Sequence, residues 1–81
     1  MKIYGKDNKK NIAGVRIKLL REKNGWSQSD LAAKLQVEDV IVEQKAVSRM
    51  ELGERLITDY ELLAISKIFN KSVLWFLTGN E

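Results

Sequence analysis

A chain of 81 residues with neither cysteine nor histidine has no disulfide and almost none of the usual zinc ligands to hold it together. At this length roughly 40% of the unfolded surface stays exposed after folding, so the core is limited to about fifteen apolar side chains. Stability has to come from packed helices, capped helix ends and a few well-placed polar contacts. The same absences remove the thiolate nucleophile and the imidazole base, and with them Ser–His and Cys–His hydrolysis. Neither GxxxxGK nor GxGxxG occurs to cradle a phosphate. The densest acids, Asp30, Glu38, Asp39 and Glu43, read as solvated side chains rather than a cation patch. No enzyme, cofactor, metal or small-molecule ligand is expected.

No run of about 18 apolar residues exists to span a membrane. The basic first 25 residues lack the apolar core and cleavage site of a secretory signal. The cytosol is the expected compartment. Charge is unevenly spread: residues 1–25 hold eight Lys or Arg against two acids, and residues 26–43 one Lys against four acids. That asymmetry points toward a polyanionic partner without identifying it.

Proline is absent, and Gly25, Gly53 and Gly79 close apolar-periodic segments as glycines just past a helix end do. Five short helices are predicted, with residues 1–10 a basic arm carrying Lys6, Lys9 and Lys10, and residues 11–79 one domain. The first helix spans about 11–24 and turns Ala13, Ile17 and Leu20 inward. The second starts at an N-cap, Ser27, with Asp30 standing in for the Glu of a capping box, and buries Leu31, Ala32 and Leu35. Residues 36–43 are β-branched, but a lone strand has no partner for its backbone groups, so an ordered loop tucking in one or two valines is expected. The third helix covers 44–52 with Val47, Met50 and Glu51 inward. The fourth begins at the capping box Thr58–Glu61 and buries Leu62, Ile65 and Phe69. The fifth is short, from about 72 to 78.

Two charges fall on inner faces: Arg21, four residues after Ile17, and Glu51, four after Val47. Either each snorkels to the domain edge or the two meet as a charge-assisted pair, which the cost of a lone buried charge favours. With Glu51 inward, the third helix presents Gln44, Lys45, Ser48 and Arg49 outward. Gln pairs bidentately with adenine, Arg or Lys with guanine, and Ser with either. These four residues alone do not separate a base-reading face from an ordinary polar helix surface. Ser27 and Gln28, beside free N–H groups at the second helix's start, and Arg55 on the other flank are candidate phosphate contacts.

The strings GVRIKLLREKNGWSQSDLAAKL in 14–35, KAVSRMELGER in 45–55 and YELLAISKIFNKSVLWFLTG in 60–79 resemble the Cro/C1-type helix-turn-helix family, the phage-repressor-like or XRE family. The resemblance implies an all-α, five-helix fold of the lambda-repressor-like kind. It also implies a transcriptional regulator, most often a repressor, binding a two-fold symmetric double-stranded DNA operator as a homodimer. The small interface that a short fifth helix can build is expected to leave that homodimer weak without DNA. On this resemblance Gln28 contacts phosphate and is braced by Gln44, and Arg21 bridges Glu51. Leu74, Trp75 and Phe76 lie in the terminal helix, which joins the core and can join the dimer interface. One departure stands out: eight residues separate Leu35 from Gln44, where the joint normally takes about three or four. The alternative function is a small protein-interaction module, antitoxin-like or adaptor, using the apolar face of the fifth helix.

Overall fold

Ser27, Thr58 and Ser72 each stand one residue before a helix and accept a hydrogen bond from its first turn. Three of the five helix starts are thus written directly in hydroxyl side chains. In the computed structural model, which describes residues 8–80, the order is α1 (Gly14–Lys23), α2 (Gln28–Val37), α3 (Gln44–Leu52), α4 (Asp59–Phe69) and α5 (Val73–Thr78). No strand occurs among the described residues. Two of the caps are reciprocal boxes, Ser27 with Asp30 and Thr58 with Glu61. Glycine closes α3: Gly53 has φ +76°, a left-handed conformation that costs a side-chain-bearing residue more than it costs glycine.

α1 starts later than the periodicity predicts, because Asn11 is occupied elsewhere. Its Oδ1 accepts from the Gly14 amide at 2.8 Å, while its Nδ2 donates to the Met50 carbonyl at 3.0 Å and the Arg55 carbonyl at 2.8 Å. α2 runs on to Val37 instead of stopping near Leu35, so the joint to α3 is residues 38–43. Val37 is 81% exposed; the valines that tuck onto the core are Val40 and Val42. The loop remains long for a helix-turn-helix joint, and Asp39 turns it with φ +63°.

The core gathers Ile17 from α1, Leu31 and Leu35 from α2, Val47 and Met50 from α3, Ile65 from α4 and Phe76 from α5. All five helices thereby contribute to one core. α3 packs on both α1 and α2, α2 on α4, and α4 on α5. α1 and α3 approach so closely at Gly14 that a Cβ placed there would lie 2.1 Å from the Met50 carbonyl oxygen. Along one side Trp26 stacks on Phe69 at 5.3 Å, and Phe69 leans on Phe76 at 6.1 Å. α4 turns Glu61, Ala64 and Ile65 inward, leaving Leu62 and Phe69 only half-buried. Glu61 is drawn in because Arg55 meets its carboxylate with two hydrogen bonds, at 3.1 and 3.2 Å.

Candidate nucleic-acid interface

α3 carries its apolar residues on one side and its polar ones on the other, as nine residues at helical period require. Val47, Met50 and Glu51 are buried; Gln44, Lys45 and Arg49 are exposed, and Ser48 is half-buried beside them. The four candidate base readers therefore share the outer face of one helix. Its N-cap, Glu43, makes no side-chain cap hydrogen bond.

The helix is held to its neighbours by a connected set of polar contacts. Arg21 Nε donates to Glu51 Oε2 at 2.6 Å and Arg21 Nη2 to Oε1 at 3.0 Å, while Nη1 donates to the Trp26 carbonyl at 2.7 Å. Both side chains are nearly out of solvent, 10% and 2% exposed. The hydrogen bond to Glu51 outweighs burial and raises the Arg21 pKa above its ordinary value. Gln28, first residue of α2, donates Nε2 to Glu51 Oε1 at 3.1 Å, and its Oε1 accepts from Gln44 Nε2 at 2.5 Å. A continuous path thus leads from α1 through α3 and the start of α2 back to the first residue of the exposed α3 face. Among the described residues, no buried side-chain polar atom lacks a partner, which is what a low-dielectric network needs.

The flanking residues sit less uniformly. Ser27 is exposed, and its Oγ accepts from the Asp30 amide at 3.0 Å while its own amide donates to Asp30 Oδ2 at 2.8 Å. That backbone hydrogen bond, with help from the Ser27 hydroxyl, holds the Asp30 carboxyl below the usual carboxylate range. Arg55 is committed to Glu61, whose Oε1 also accepts from the Thr58 amide. Of the basic arm, Lys9 and Lys10 are exposed, and the Lys10 amide donates to the Gly53 carbonyl at 2.8 Å. This end of the arm is therefore pinned to the exit of α3; Lys6 lies outside the described residues. On α5, Leu74 is half exposed and Trp75 half-buried, but Phe76 is fully buried. Phe76 therefore belongs to the core and has no surface to offer a partner subunit.

Asn11 and Gly14 meet the Met50 carbonyl of α3, and Glu61 holds Arg55 on the flank; none of the three is a candidate site residue in the sequence. Gly14 carried the one usable signal, as a glycine that ends no helix and so calls for a close approach instead. In the sequence Glu61 reads only as a capping residue, and no local pattern announces Asn11. Among the described residues no group of three or more acids is gathered to hold a metal ion, and no helix is long and apolar enough to cross a membrane.

Residues 17–76 match the family model described as helix-turn-helix. No curated protein matches the chain. Among solved structures it is similar to the P22 c2 repressor protein in complex with a synthetic operator. The TM-score is 0.73, with 28% identity, over 86% of this chain and 98% of that one.

Proposed function

The chain belongs to the helix-turn-helix family, of the Cro/C1 or XRE type, and from that premise we propose that it is a sequence-specific repressor of transcription. It binds double-stranded DNA as a homodimer, in the compartment where the DNA lies, and it works by occupancy rather than by catalysis. The observation that carries this reading is the outer face of α3. Gln44, Lys45, Ser48 and Arg49 stand together on a helix narrow enough for the major groove, fastened from behind by the Arg21–Glu51–Gln28 contacts. The similarity to a repressor crystallised on its operator supports it.

The remaining residues take the positioning roles. Ser27 and Gln28 sit where α2 begins and meet phosphate on one flank. Arg55 meets it on the other while still paired with Glu61. Dimerisation uses the exposed apolar side of α5, Leu74 and Leu77 with the edge of Trp75. So small a surface gives a weak dimer that DNA completes, with half-sites about one helical turn apart.

The test is selection from random duplex DNA with the full chain at about 150 mM salt, where non-specific phosphate binding is weakened. A two-fold symmetric motif is the expected result. A folded protein that enriches nothing overturns the reading and turns attention to capture of a protein partner by α5.

A further inference from the structure

The hydrogen-bonded path from Arg21 to Gln44 has a direction. A guanidinium only donates and an ionised carboxylate only accepts. Both oxygens of Glu51 are engaged by Arg21, so Gln28 can meet Oε1 only with its amide nitrogen. That choice turns the Gln28 carbonyl toward α3, where it accepts from Gln44 Nε2. One N–H of Gln44 is thereby committed to the protein. What remains for a base is its carbonyl oxygen with the other N–H, the edge that adenine completes through N6 and N7.

We propose that Glu51 is a positioning residue for base recognition: from its buried place it fixes the orientation of two successive amides, and so makes Gln44 select adenine. This inference rests on the reading of α3 as the helix that contacts base edges. Glu51 itself touches no base. Its charge acts only by deciding which end of Gln28, and then of Gln44, faces which way. Either amide viewed alone has two orientations of similar merit; the carboxylate at the far end leaves one.

The experiment compares the wild type, Glu51→Gln and Gln28→Ala in parallel selections from random duplex DNA, with thermal melts to establish folding. In E51Q a single amide oxygen stands where two carboxylate oxygens met Arg21. With that oxygen on Arg21 Nε, the shorter contact at 2.6 Å, the Arg21 Nη2 contact is given up and an N–H lies where Oε1 was. Gln28 then turns over to accept it, and Gln44 turns over in response, presenting its NH2 group outward. The expected result is that, at one column of each half-site, adenine loses about tenfold in preference and guanine or thymine, whose O6 and O4 accept, gains. The other columns keep their preferences. Q28A spares the ion pair and is expected to flatten that same column, whatever it does to overall affinity.

A folded E51Q that selects the wild-type motif overturns the proposal, as does one that loses affinity evenly over all columns. If E51Q does not fold, Q28A decides, and an unchanged adenine column overturns the proposal. A wild-type motif that is insensitive to both variants, or that lacks an adenine column, defeats the relay and leaves DNA reading intact. A wild type that enriches nothing defeats both.

Discussion

Gly14 is small because something else fills its space. The Met50 carbonyl lies where its Cβ would be, only 2.1 Å away, and a backbone atom in a packed helix cannot step aside. Gly14→Ala is expected to force α1 and α3 apart and cost about 3 kcal/mol, the upper end of ordinary overpacking, read as a lowered denaturant midpoint at unchanged slope. The same interface holds Arg21 against Glu51 with little solvent to screen it. Glu51→Ala leaves the guanidinium buried with only the Trp26 carbonyl and takes from Gln28 its acceptor. A loss of about 3–5 kcal/mol is expected; a melt within a degree or two of wild type would contradict the burial of that pair. Replacing both members by apolar side chains of similar volume is expected to cost far less, because no charge is then left behind.

At the scale of helices, the clearest signals are local. The Ser27 and Thr58 caps, the glycine after α3, and the inward set Val47, Met50 and Glu51 are all legible in the sequence, since each depends on spacing within one turn or two. What escaped is what depends on residues far apart. α1 loses its first turn because Asn11 reaches Met50 and Arg55, 39 and 44 residues away. α4 turns Glu61 inward in place of Leu62 because Arg55 engages its carboxylate. Within residues 38–43, periodicity does not say which valines meet the core, because Val40 and Val42 pack against side chains from other helices. For the α3 face the four outward residues are legible, but the Gln28–Glu51 link joins residues 23 apart on separate helices, which no local spacing announces. The cap at α2 carries its own prediction. Asp30 is held below the usual carboxylate range by the Ser27 amide and hydroxyl, so its contribution is present at neutral pH and vanishes as pH falls through the lowered folded value. A pH series of melts should therefore show wild type and Asp30→Asn apart at neutral pH and converging in acid.

Across the whole molecule the charge is split, with the basic excess in residues 1–25 and an acidic stretch at 26–43 ahead of α3. Affinity for DNA is expected to fall steeply with salt, the slope counting the phosphates neutralised. Removing a charge at Lys9 or Lys10 should make the slope shallower by about one per contact while leaving the selected motif unchanged. Lys10 and Asn11 have one more consequence. They fasten the C-terminal end of α3 through the Gly53 and Met50 carbonyls, while Gln28 engages Gln44 at its other end. A helix clamped at both ends has few conformations left to lose. Association with DNA is then docking of a preformed surface, and its heat-capacity change should match the apolar area covered, with no added contribution from coupled folding.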